Sequence, residues 1–329
     1  MLRSMYSGIS GLKNFQTKLD VIGNNISNVN TYGFKKGRTV FKDLISQTVA
    51  GASAATGTRG GVNPKQVGLG SQIAAIDTIH SGGSTQYTGN TLDLAISGDG
   101  FFIVADGANI DATAGTGDFT NPLYTRAGNF YMDNNGYLVN SDGKFVVGAA
   151  ASGWDGEATN VSTSYPLASE VTNAGVTGSL ETTGTPTDFT DDSLPVTATA
   201  GTVEFTPIRI PTNAQSMSIG QDGTVTFVDA EGSLRWAGQL ILAKFPNPGG
   251  LAKAGSNYFQ SSANSGNPIN QVATAEGIGS VNSGFLEMSN VDLSEEFTDM
   301  IVAQRGFQAN TRIITTSDEI LQELVNLKR

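Results

Sequence analysis

Cysteine is absent from the 329 residues, which excludes disulfides, thiolate metal sites and cysteine nucleophiles. Histidine occurs once, so a Ser-His-Asp triad or a histidine-ligated metal would rest on His80 alone. No stretch approaches the roughly 20 apolar residues of a membrane span. The opening MLRSMYSGISGLKNF has Arg3 but lacks the apolar core, about 7–15 residues long, of a secretory signal, which leaves a cytosolic protein or one exported by a route that reads no such cleavable signal peptide. Bases are scarce, 19 against 30 acids, and the net charge of −11 argues against nucleic acid or an anionic membrane as partner. Proline is missing from both ends, since all ten prolines fall between Pro64 and Pro268.

Glycine is abundant: 41 residues, well above the usual share of about 7%. There is no three-residue period, so the chain is not collagen-like. Proline-free ends around a glycine-rich middle predict helical termini enclosing a β-rich body, α+β overall and multidomain. Charge follows the same division. Residues 1–65 hold nine bases and two acids, and residues 287–329 hold eight acids and four bases. The two ends are electrostatically complementary.

Both ends have helical periodicity. Leu2, Met5, Ile9, Leu12, Leu19, Ile22 and Ile26 follow a three/four spacing near the start. Leu293, Met300, Phe307, Ile314 and Leu321 recur every seven residues near the finish, with Phe297 beside them. A seven-residue apolar repeat is narrower than an ordinary amphipathic stripe and predicts a coiled-coil seam. Asp292 followed by Glu295 reads as a cap with its partner, which places the last helix near 293–327. Two surface helices on a globular core would show similar patterns, but length and terminal placement favour pairing with each other and with other copies.

The middle reads as β. Leu94–Ser97 and Phe101–Val104 flank Gly98-Asp99-Gly100, read as a hairpin turn. Asp133-Asn134-Asn135-Gly136, Ser141-Asp142-Gly143, Gln221-Asp222-Gly223 and Ala230-Glu231-Gly232 are turn sequences between apolar runs. From Lys144 to Arg209 there is no base between them and eight acids, which marks a small acidic β domain inserted at 149–206. The expected organisation is therefore an inner helical domain from 1–30 with 288–329, a connecting segment at 31–70, a β-rich middle domain from 71–148 with 207–287, and the insert. Ala50–Gly61 is the clearest low-complexity stretch.

Sites of chemistry are weak throughout. His80 has no oriented acid or nucleophile in any motif, and reads as a surface or turn histidine. Gly98-x-Gly100 lacks the third glycine and the helix of a dinucleotide fingerprint. The Asp133 and Asp222 turns lack the alternating oxygen ligands and terminal Glu of a calcium loop. A glycan-cleaving carboxylate pair would usually bring aromatics, and the only tryptophans are Trp154 and Trp236. No catalytic residue, cofactor site or metal site is expected.

Four segments carry a resemblance. Asn24-Asn25-Ile26-Ser27-Asn28-Val29-Asn30-Thr31-Tyr32-Gly33-Phe34-Lys35 follows the first helical run. Glu287–Leu293 and Ile301–Asn310, which includes Gln304, Arg305 and Asn310, lie near the other end. Leu92–Phe102 and Tyr124–Phe130 lie between. Together they resemble the bacterial flagellar rod and hook family, of the Gram-positive, Bacillus-like type, over about 1–148 and 207–329. The resemblance implies a structural subunit, not an enzyme, that polymerises helically with copies of itself around a central channel. It implies export through the flagellar type III apparatus, an extracellular place in the flagellum, a rod protein below, a hook–filament junction protein above and a hook cap during assembly. Within the family, the acidic insert points to the hook type of subunit, a flexible joint that transmits torque. The length of Asp43–Gly70 points to the distal-rod type as the alternative.

Overall fold

The structure is a computed structural model that describes residues 2–108, 118–150, 205–230, 232–275 and 277–327. The insert expected at 149–206 lies, except at its margins, outside the described residues. Two compact units emerge. The first comprises Met1–Val29, Lys35–Ile79 and Val291–Arg329, and the second Asn30–Phe34 and His80–Asn290.

The first unit holds helix α1, Leu2–Ser27, and helix α2, Leu293–Asn326. Both match the proline-free periodic runs. Asp292 caps α2: its side chain accepts from the backbone N–H of Ser294 at 2.8 Å and of Glu295 at 3.4 Å. That satisfies donors a helix start would otherwise leave open, and Glu295 and Glu296 add acidic charge where the helix dipole favours it. The helices run antiparallel, with Lys18 bridging Asp299 at 3.3 Å near one end and Gly8 packing on Ile314 near the other. Among the described residues no helix is long and apolar enough to cross a membrane.

The stretch expected to connect, 31–70, carries strands of its own. β1, Gly37–Asp43, pairs antiparallel with β4, Ser71–Thr78, and β2, Ser46–Ala50, pairs with β3, Lys65–Gly68. Bridges Ser53–Val62 and Thr56–Arg59 carry the pairing through the low-complexity stretch to its tip. The result is one long two-stranded ribbon. Most of its residues are exposed, which is why no alternation of apolar and polar residues announces it.

The second unit is β-structure built on one antiparallel sheet of twelve strands among the described residues. Its central strand, Leu234–Lys244, pairs with Phe145–Ala150, Thr224–Val228, Ile269–Val272 and Phe101–Ala108. Side chains alternate between two cores. Phe102, Val104, Leu240 and Leu242 enter the larger, while Phe101, Ile103, Ile241 and Ala243 enter the smaller. Both faces of the central strands are buried, hence their unbroken apolar runs.

The acid–glycine turns behave as read. Tyr131–Met132 pairs with Leu138–Val139, Val139 pairs with Phe145, and Ser216–Ile219 pairs with Thr224–Val228. Gly98-Asp99-Gly100 does not close a hairpin. Leu94–Ser97 pairs with Ser280–Ser283, whereas Phe101–Ala108 pairs with Asp118–Thr125. Gly98, at φ +119°, has room for no side chain because a Cβ there would sit 2.9 Å from Gly279 Cα. The glycines thus let the chain cross between partners. His80, read as a surface or turn histidine, lies just beyond strand Ser71–Thr78 and is half-buried: its ring packs edgewise on Phe101 and Phe259, with centroids 5.5 and 5.1 Å away.

Candidate functional site

The terminal helices hold most of the residues singled out by sequence, and α1 presents three faces. One row, Gly8, Gly11, Phe15, Lys18, Ile22 and Asn25, turns toward α2. A second, Ser10, Asn14, Val21 and Asn25, meets the ribbon: Asn14 Nδ2 donates to Ser71 Oγ at 2.8 Å, and Ser71 N donates to Ser10 Oγ at 3.4 Å. The third carries Met5, Leu12, Leu19 and Ile26, half-buried, and Ile9, 43% exposed. At about 100° per residue this apolar row lies roughly a quarter turn from the one facing α2. Of the predicted α1 seam, Ile22 lies in the row that turns toward α2 and is 4% exposed, and the side chain of Leu2 lies outside the described residues.

The contact itself uses small residues. A Cβ on Gly306 would fall 2.5 Å from the Phe15 ring, and one on Gly11 would fall 2.9 Å from the Asn310 amide. The helices approach closely because glycine faces bulk at both levels. Gly306→Val should therefore loosen the pair by about 1–3 kcal/mol, the cost of overpacking. A thermal melt followed by helix signal checks this, and an unchanged helix transition would contradict the packing.

On α2 one row alternates four and three residues apart: Glu296, Ala303 and Ser317 are buried, Met300, Asn310, Ile314 and Leu321 are half-buried, and Phe307 is 36% exposed. The seven-residue repeat Met300, Phe307, Ile314 and Leu321 lies in this row, whose buried members are the small and polar residues between them. Leu293 and Phe297, also predicted on the seam, are 39% and 50% exposed. A second apolar stripe, Val302, Ile313, Ile320, Leu324 and Leu327, lies about a quarter turn away and is exposed. The antiparallel register carries the last turns of α2 past the start of α1.

The motif asparagines finish α1. Asn28 Nδ2 donates to the Asn24 carbonyl and to Asn24 Oδ1, both at 2.9 Å, and Ser27 Oγ donates to the same carbonyl. Side-chain donors thus satisfy a carbonyl at the helix end. Asn25, 1% exposed, reaches Gly37 and Glu296. Gln304 and Arg305 are exposed on α2, and Asn310 Nδ2 donates to Gly306 O at 3.0 Å.

Glu296 is the buried carboxylate of the pair. Burial raises its carboxyl above the ordinary value, the Asn25 hydrogen bond and Lys36 pull it back, and Asp299 and Glu295 push it further up. Lys18 and Arg38 line the same cleft. A folded value above the unfolded one means that protonation stabilises the fold. Glu296 therefore contributes stability at acid pH that is lost as pH rises from about 4.5 through the raised folded value. Glu296→Gln should raise the unfolding temperature of this unit at pH 7 and flatten that part of its pH profile. Thermal melts from pH 4 to 8 decide, and a variant less stable than the parent at pH 7 would count against it.

The rest of the N-terminal motif belongs to the second unit. Gly33, at φ +69°, abuts Arg126 and Ala127 so closely that a Cβ would lie 2.5 Å from Ala127 N. Its N–H donates to the Glu287 carbonyl at 2.8 Å. Phe34 is buried beneath Lys253 Nζ, 5.4 Å above its ring. Thr31 O accepts from Phe34 N, and Asn30 is exposed. Sequence reading quoted Arg126 and Glu287 within motifs but did not pair them. They form an ion pair at 3.3 Å, with side chains 3% and 1% exposed. Arg126 also donates to Gly98 O at 2.7 Å, and Glu287 Oε1 accepts from Gly83 N at 3.0 Å. Among the described residues no group of His, Asp and Glu is arranged to hold a metal.

Comparison with known proteins places these features. Residues 5–35 match the family described as flagella basal body rod protein, 95–227 the flagellar hook protein FlgE/F/G D1 domain, and 282–327 the flagellar basal body rod FlgEFG protein C-terminal. The chain is 52% identical to the flagellar basal-body rod protein FlgG of Bacillus subtilis, over all of both chains. It is 36% identical to the flagellar hook protein FlgE of Borreliella burgdorferi and 33% to that organism's FlgG, again over all of each chain. A solved Helicobacter pylori hook protein, FlgE2, overlaps 62% of this chain and all of that one at 11% identity with a TM-score of 0.38, a likeness too slight to argue from. The exposed apolar stripes, the buried small-residue contact and the capped ends are thus parts of a structural protein, not an enzyme, and the chain belongs to the flagellar basal-body rod and hook family.

Proposed function

We propose that this chain is a rod-type subunit of the flagellar basal body, polymerising helically through its terminal helices. The observation that carries the reading is the match to the rod protein FlgG at 52% identity, which spans 331 aligned positions and all of both chains. The hook reading draws on the resemblance of the two chain ends and on the acidic insert. That argument loses force because a rod protein of nearly the same length aligns from end to end, whereas alignment with the hook protein extends over 455 positions. The hook subunit remains the second reading, supported by 36% identity over the whole chain.

In this account α1 and α2 work as an antiparallel coiled coil, and their outer apolar stripes are the surfaces that copies share. Heterologous contacts of this kind build open helical tubes, not closed rings. The chain would leave the cell by the flagellar type III route without a cleavable signal, and join other rod proteins below and the hook above. Expression in Bacillus subtilis lacking its own FlgG is expected to restore swimming, and expression in a strain lacking its hook protein is not. Rescue of the hook strain alone would reverse the assignment.

A further inference from the structure

The carboxamide of Asn25 uses both of its donor hydrogens and its oxygen. Oδ1 accepts from Gly37 N at 3.0 Å, and Nδ2 donates to Gly37 O at 2.9 Å and to Glu296 Oε2 at 3.2 Å. It therefore pairs with the peptide of Gly37 on both sides, as a neighbouring strand would, and gives its remaining hydrogen to α2. Asn25 is 1% exposed and Glu296 is 6% exposed, so each relies mainly on protein partners and losing one is costly. Gly37 begins β1, and Glu296 lies in the first turns of α2. The space is tight as well, since a Cβ on Gly37 would approach Val21 to 3.3 Å.

Neighbouring contacts repeat the theme without replacing it. Lys36 bridges Glu295 at 2.7 Å and Lys18 bridges Asp299 at 3.3 Å, but both carboxylates are half exposed or more. Exposed pairs of this kind contribute little and tolerate drift. A buried polar group with a single satisfying geometry is different: it penalises every other arrangement.

We propose that Asn25 is the positioning residue that locks the end of α1, the start of β1 and the first turns of α2 into one arrangement, presetting the surface this unit offers to a second copy. The last part rests on the self-association proposed above. Asn25→Asp tests the lock because it keeps the shape and removes only the donors. It sets a carboxylate against both the Gly37 carbonyl and the Glu296 carboxylate. Adding Glu296→Gln returns a donor from the α2 side.

The lock is read in the full-length monomer by amide exchange, separately from assembly. In Asn25→Asp, exchange over Gly37–Thr39 and the first turns of α2 is expected to quicken by about tenfold or more, with the second unit unchanged. The double variant is expected to recover much of that protection on α2, and tubes should form with the parent protein and the double variant but not with Asn25→Asp. Parent-like exchange in Asn25→Asp would overturn the proposal, as would a double variant that is no better than the single. If exchange loosens yet tubes form at the parent rate, the lock presets nothing, and the proposal also falls. If the parent itself forms no tubes while exchange behaves as expected, the self-association reading fails and the lock stands.

Discussion

Arg126→Met is expected to destabilise the second unit by roughly 3–5 kcal/mol, because it removes the guanidinium that meets the buried Glu287 carboxylate at 3.3 Å. Burial already pulls the Arg126 guanidinium below its ordinary value while Glu287 pulls it back up, so Arg126 keeps its charge in part through that carboxylate. The loss should reach well beyond one bond. Gly33, Gly83, Ile96 and Gly98 all hydrogen bond to this pair or to the backbone of Glu287. A fall in the unfolding temperature on the order of 10 °C follows from the usual scaling for a unit of this size. Replacing both partners, Arg126→Met with Glu287→Leu, should recover a large share, since two apolar groups need no partner charge. Calorimetry of the two variants decides, and equal losses in both would show that packing, not charge, holds the site.

Val302→Asp and Ile320→Asp should stop self-assembly while leaving the monomer's melting nearly unmoved. These residues are 55% and 48% exposed and belong to the outer stripe of α2, so a charge there costs about 0.5 kcal/mol or less in the free chain. In an assembly that buries the stripe, each substitution forfeits about 1.5–3 kcal/mol of apolar burial and adds a charge to desolvate. Repetition through a polymer multiplies that loss. Met300→Asp and Ile314→Asp also disturb assembly, but through the α1–α2 contact, so they should lower the helix transition of the monomer too. Sedimentation separates the two behaviours, and normal tubes from Val302→Asp and Ile320→Asp together would refute the outer stripe as an interface.

Much of this was legible in the residues. Asp292 marks the start of α2, and the absence of proline with three/four spacing marks both helices. The Asp133, Asp142 and Asp222 turns announce hairpins because a tight turn needs glycine at positive φ, as Gly136, Gly143 and Gly223 show at +86°, +76° and +81°. Which apolar row meets which neighbour was not legible. Hydrophobic periodicity marks a row as destined for burial somewhere, and α1 buries Gly8, Gly11 and Asn25 against its partner while its leucines turn elsewhere. The Arg126–Glu287 pair joins residues 161 apart, beyond the reach of any local pattern. The ribbon at 37–78 escaped notice because neither of its faces is well buried. The acidic composition of 149–206 could not separate rod from hook, because a rod protein aligns with this chain from end to end.

The most direct test of the account is the shape of what the purified full-length chain builds, seen by electron microscopy under conditions that favour assembly. A rod-type subunit held through its terminal helices is expected to give straight, stiff tubes of constant diameter. Curved, supercoiled tubes would assign the chain to the hook instead, and a protein that stays monomeric at high concentration would contradict self-assembly through the helices altogether.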